Sequence, residues 1–213
     1  MKKSIQLVFL FCLIANYTYA NKYESAMASA LEKLYAANDL ESYLIASSAF
    51  ERIGKAEKEK WRPYYYAGLG YIWASHSVQD VDKIDGYLDQ AQRFVDISEE
   101  LSPDNDEIIT LQGYIYMMKV AVDPPSRGPA FSGLAMQEFG KATGMNANNP
   151  RALLLLARMK MGTDQFFGND LSESCGMISK AVQMFNKQMV KSKLDPSWGK
   201  EMAEMFEVEC KSN

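Results

Sequence analysis

The stretch Tyr64-Tyr65-Tyr66-Ala67-Gly68-Leu69-Gly70-Tyr71 decides how this chain is read, because its pattern returns. Tyr64, Ala67, Gly68 and Tyr71 align with Ile109, Gln112, Gly113 and Tyr116, 45 residues on. Leu153, Leu156 and Ala157 repeat the start of the pattern 44 residues later. A second pattern runs alongside: Ala46-x3-Phe50-x2-Ile53, Ala91-x3-Val95-x2-Ser98, Ala135-x3-Phe139-x2-Ala142 and Ser174-x3-Ile178-x2-Ala181. Both patterns space their key residues at three and four, as one face of a helix does. The chain therefore reads as a repeated pair of helices.

The pattern has a simple physical reason. Two antiparallel helices cross closely only where the facing residues are small. Gly68, Gly113 and Ala157 on the first helices are expected to meet Ala91, Ala135 and Ser174 on the second. Tyr71, Tyr116, Phe50 and Phe139 fill the space one turn away. The turns Leu101-Ser102-Pro103-Asp104-Asn105 and Met145-Asn146-Ala147-Asn148-Asn149-Pro150 stop each second helix and start the next pair.

This order of residues resembles the tetratricopeptide repeat family over about residues 40–185. In that family a bulky residue, a small one and an aromatic mark the first helix. An alanine, an aromatic and a small residue mark the second, and a proline closes the repeat. The family's tryptophan is absent from the bulky position, where Tyr64, Ile109 and Leu153 stand, and Lys160 replaces the last aromatic. The period exceeds the family's 34 by about ten residues. The excess is expected in loops inside the pairs, near 75–82, 123–132 and 162–169. HEAT-type repeats, with a period near 45, are the second reading. The resemblance implies an all-α, right-handed superhelix of about four antiparallel helix pairs with a C-terminal capping helix. Tyr23–Ala37 and Leu40–Ala56 form an atypical first pair, and Lys200–Cys210 the cap, begun by Asp195 or Ser197.

The two ends bound the compartment. Lys2 and Lys3, the apolar run Ile5–Ala15 and Thr18-Tyr19-Ala20 read as a signal peptide over 1–20, cleaved before Asn21. A single helical-repeat domain then covers 21–213, exported and expected in the periplasm of a bacterial cell envelope. Of 23 lysines and arginines, the leader holds two, so the remaining chain carries about −6 against 27 acids. Such a charge, with no dense basic cluster, argues against nucleic acid. No stretch of the mature chain is apolar enough to span a membrane. Cys175 and Cys210 are compatible with one disulfide closing a loop of about 35 residues, or with two buried thiols.

Catalytic chemistry finds little support. His76 is the single histidine, and no cysteine–histidine spacing makes a zinc site. No nucleophile elbow flanks a serine and no phosphate-cradling loop is present. The acids Asp104, Asp106 and Glu107 read as helix-start residues. The chain is read as a non-enzyme that needs no cofactor.

A surface remains. The resemblance implies that first helices line a concave groove binding a protein or peptide partner. Its wall would comprise Arg62, Tyr65, Leu69, Trp73, Tyr114, Met117, Met118, Arg151 and Arg158. Aromatics, arginine and methionine are common interface anchors. The same side chains also read as core, covered by the C-terminal helix. The function expected is a protein-interaction scaffold acting through this concave surface or the long loops. The alternative is a solenoid that binds a small hydrophobic ligand between groove and capping helix.

Overall fold

The computed structural model describes residues 22–190 and 192–212, and there the chain folds as helices and turns. The expected signal peptide and its cleavage point before Asn21 lie outside the described residues. Helix α1 spans 22–36. It is followed by α2 (Leu40–Ala56), α3 (Trp61–Ser75), α4 (Val81–Leu101), α5 (Asp106–Val122), α6 (Pro124–Met145), α7 (Pro150–Phe167), α8 (Ser172–Lys187) and α9 (Lys200–Ser212). Consecutive helices pack on one another, and the first helices α3, α5 and α7 also touch in turn. That is the architecture of a helical-repeat superhelix: four pairs and a closing helix among the described residues.

Helix boundaries follow local chemistry. Asp39 caps α2, accepting the Ser42 amide at 2.8 Å, and the Ser42 hydroxyl answers from the third position. Asn105 caps α5, and Asn149 caps α7 with Pro150 at its first turn. Gly168 ends α7 in the left-handed conformation, φ +71°.

The excess over the family's period does not form long loops. The chain passes from α5 to α6 through Asp123 alone, and the Pro/Gly stretch 124–132 is helical. Pro124 and Pro125 occupy the first positions, where a missing N–H costs nothing, and Asp123 accepts the Ser126 amide at 3.3 Å. Phe166 and Phe167 likewise belong to the last turn of α7. The extra residues lengthen helices, so loop binding loses its structural basis.

Close crossings fall near the expected places. Gly68 faces the Ala91 carbonyl, where an added Cβ would sit at 3.4 Å. Gly113 instead receives the Phe139 ring: a Cβ there would lie 2.5 Å from Cε1. One core runs from α1 to α7 around Phe50, Tyr65, Tyr66, Phe94 and Phe139. A second joins Leu154, Ala157 and Met161 of α7 to Ile178, Ala181 and Phe185 of α8 and Ala203 of α9. The Cys175–Cys210 disulfide fastens α9 to α8.

Candidate functional site

The C-terminal segment decides what the concave side can do. After α8 the chain turns back through residues 192–199 and inserts Leu194 and Trp198, only 8% and 4% exposed, into the main core. Gly199, with φ +103°, turns it into α9 beside Phe185. Neither Asp195 nor Ser197 begins that helix. Asp195 accepts Arg62 Nε at 3.1 Å and the Ser192 amide at 3.0 Å, while Ser197 reaches Tyr35.

Beneath this segment runs a buried polar network. Trp198 Nε1 donates to the Tyr65 hydroxyl at 2.8 Å, which donates to Glu107 at 3.3 Å. Arg151 clamps Glu107 with two bonds, Nε to Oε2 at 2.8 Å and Nη2 to Oε1 at 2.6 Å, and reaches the Trp198 carbonyl. Burial opposes the Arg151 charge, but adjacent Glu107 outweighs it and holds the guanidinium above its usual pKa. Burial, then Glu107, pushes the Tyr65 hydroxyl far above the ordinary phenol value. Glu107, half-buried, thus serves as the counter-ion of a buried arginine rather than only as a helix-start acid.

The groove residues read from the sequence divide accordingly. Tyr65 and Leu69 have no exposed surface, Arg151 is 2% exposed, and Arg62 binds the returning segment. Trp73, Met117, Met118 and Arg158 reach open space, which Tyr114, itself 2% exposed, borders, and that space is two cavities.

The larger cavity, about 990 Å³, lies between α5, α6, α7 and α9. Its walls are Met117 and Met118 of α5, Pro125 and Pro129 of α6, Leu155, Met159 and Phe166 of α7, and Met202, Met205 and Phe206 of α9. Arg158 is the cationic side chain at its wall. Its guanidinium lies 3.4 Å from the Phe206 ring centre and 3.7 Å from Glu209. Desolvation lowers its pKa, against the raising effect of Glu209 and Tyr114. Sequence reading finds Met117, Met118 and Arg158 but misses the α6 prolines, whose composition suggests a loop. Met202, Met205 and Phe206 are visible there as one face of the last helix, without the cavity they close.

The smaller cavity, about 830 Å³, lies between α1, α2, α3 and the returning segment, lined by Tyr35, Tyr43, Trp73 and Trp198. The two cavities share His76, Tyr114 and Met202. His76 Nε2 lies 3.4 Å from the Tyr114 hydroxyl. The imidazole is open to solvent on one side, while desolvation of its inner side lowers its pKa below the usual value.

No protein-family model matches this chain, and no curated protein matches it. Solved structures share its shape. The HusA haemophore from Porphyromonas gingivalis superposes with a TM-score of 0.80 at 23% identity, over 89% of this chain and 93% of that one. A thermophilic TPR protein of Thermus thermophilus superposes with a TM-score of 0.58 at 13% identity, over 94% of this chain and 96% of that one. The fold is a tetratricopeptide-like helical repeat. At these identities the likeness is one of fold.

Proposed function

We propose that this protein is a non-catalytic carrier, working outside the cytoplasm, that holds a flat apolar ligand of the haem class in the methionine-walled cavity. The observation that carries this reading is the cavity itself, about 990 Å³ and bounded by five methionines with Arg158 at the wall. Sites for ligands of cofactor size are mostly apolar, with a few placed polar groups, and span roughly 300–1,000 Å³. Thioethers are polarizable and unbranched, so they adapt to an aromatic plate. A tetrapyrrole also carries carboxylates, which a partly desolvated guanidinium receives well. His76 and Tyr114 at the cavity's head belong to residue types that hold haem iron. The name of the haemophore that shares the fold supports the same ligand class. Export is supported by the Cys175–Cys210 bridge, since such bonds persist in oxidising compartments.

The deciding experiment titrates the folded chain with haemin, following the Soret band and thermal unfolding. A saturable band shift at one haemin per chain, with a raised melting temperature, is expected. Arg158→Gln should weaken binding about ten- to a hundredfold, the range for losing a charged hydrogen bond. An unchanged spectrum together with an unchanged melting temperature would refute the reading.

One observation favours the scaffold reading as second. Phe166, Phe167 and Met205 are 58%, 70% and 59% exposed around the cavity. Such an apolar lip fits contact with a protein partner. Partner recovery from envelope extract that is lost in the Phe166→Ser/Phe167→Ser double variant, without any haemin binding, would promote this reading above the first.

A further inference from the structure

We infer that the smaller cavity is a separate binding site for a small organic cation of the methylated-ammonium class. Tyr35, Tyr43 and Trp198 are each turned away from the plane of Trp73. Tyr114 backs Trp198 in a direct stack, 5.9 Å apart at 21°, that leaves no slot between them. Trp73 meets Trp198 edge to face, with centroids 6.4 Å apart and planes at 88°. Tyr43 stands 6.0 Å from Trp73 at 67°, and Tyr35 lies 6.3 Å from it at 49°. A flat ligand needs parallel walls. Rings turned toward one space from different sides suit a compact, rounded cation instead, which is drawn to the negative π faces.

The chain's own cations define what is missing here. Arg62 lies over Trp61 at 4.9 Å, Arg93 over Phe94 at 4.2 Å and Arg158 over Phe206 at 3.4 Å. Among the described residues, no lysine or arginine lines this cavity or stands over Tyr35, Tyr43 or Trp73; Arg151 lies 6.0 Å from the Trp198 ring centre, but its charge is paired with Glu107. The acidic side chain at its rim is Glu201, which forms no salt bridge among the described residues. The cavity therefore combines π faces and a carboxylate without the positive charge that both attract.

The polar groups argue for a ligand whose charged head has no hydrogens to donate. The Ser197 hydroxyl is engaged with Tyr35 at 3.3 Å, and Tyr114 with His76 at 3.4 Å. A sugar needs several convergent donors and acceptors; besides these paired hydroxyls the lining offers the Tyr43 hydroxyl and, exposed at the rim, Asn38 and Ser77. A methylated ammonium needs only the faces and the nearby carboxylate. Trp73, Tyr35 and Glu201 belong to this cavity and not to the methionine-walled one, so the two sites can be tested apart.

Choline and its uncharged carbon isostere, 3,3-dimethylbutan-1-ol, titrated into the whole folded chain by calorimetry, test the assignment. Choline is expected to bind about tenfold more tightly than the isostere. Glu201→Gln, on the exposed first turn of α9, should reduce choline affinity severalfold and leave the isostere unchanged. Trp73→Ala should abolish choline binding; because it also removes packing, its melting temperature is measured alongside, and the glutamine variant decides. Equal binding of the two probes overturns the assignment. So does choline binding that is indifferent to Glu201→Gln, absence of heat at about ten millimolar choline, or tighter binding of glucose than of choline.

Discussion

Arg151 grips Glu107 across consecutive first helices with two charge-assisted bonds, 2.6 and 2.8 Å long, at side-chain exposures of 3% and 13%. The pair joins α5 to α7, and through Tyr65 and Trp198 it ties both to the returning C-terminal segment. Removing one partner leaves the other charge buried and uncompensated. Glu107→Ala should therefore cost about 3–5 kcal/mol. Replacing both partners with apolar residues of similar size should cost much less. Urea unfolding of Glu107→Ala, Arg151→Met and the double variant measures the difference. A single variant within about 0.5 kcal/mol of the parent would show that the pair contributes little.

The Cys175–Cys210 bridge closes a loop with a sequence separation of 35. In the chain-entropy model such a link is worth on the order of 3–4 kcal/mol. It also holds α9, whose Met202, Met205 and Phe206 wall the larger cavity. Cys210→Ser should lower stability by about that amount and weaken haemin binding, with the parent under a dithiol reductant behaving alike. Loss of stability with unchanged haemin affinity would mean that the wall is held by packing around Ala203 rather than by the bridge.

Much of this was legible in the sequence, for a reason the Arg151–Glu107 pair makes plain. The two residues are 44 apart, which is the period of the repeat. Tyr65–Glu107, Arg127–Asp85 and Arg93–Glu51 are each 42 apart and also touch. In a solenoid, a residue one period away is a neighbour in space. The small-then-aromatic pattern was readable because helix crossings depend on residue size alone. The charged contacts were not, because a lone acid on a helix start looks the same whether it meets water or an arginine. The prolines at 124, 125 and 129 mislead for another reason. Composition marks them as breakers, yet the first turn of a helix tolerates Pro124 and Pro125, with the Asp123 cap marking that start, while Pro129 stands inside α6 against the usual preference. The cavities were invisible because they depend on where the chain after α8 returns.

Gly113 tests the crossing between α5 and α6. The Phe139 ring lies where a Cβ would be, with contacts of 2.5 and 2.7 Å, and Phe139 is fully buried. Helix propensity favours Gly113→Ala by about 1 kcal/mol. Overpacking opposes it by roughly 1–3 kcal/mol. The ring is held inside the core, so the steric cost should win and the variant should melt lower. Gly140→Ala is the control, since nothing stands within 4 Å of its Cβ position. That variant should be neutral or stabilising, and the reverse order of the two melting temperatures would contradict the crossing geometry.

His76 gives the pH dependence. Desolvation on its inner side lowers its folded pKa below the ordinary value of about 6.5. The unfolded chain therefore binds its proton more readily than the folded one. Stability is fully present above about pH 6.5 and declines as pH falls from there to the lower folded value, below which this group adds no further slope. Protonation also places a cation in the wall shared by both cavities and removes the ring nitrogen's capacity to bind iron, so haemin affinity should fall over the same window. Thermal unfolding and haemin titration between about pH 7.5 and 5.5, above the range in which most carboxylates titrate, follow both effects. In His76→Gln both slopes should flatten. A parent and variant with superimposable profiles would remove His76 from the ligand site and leave the methionine walls and Arg158 to account for binding.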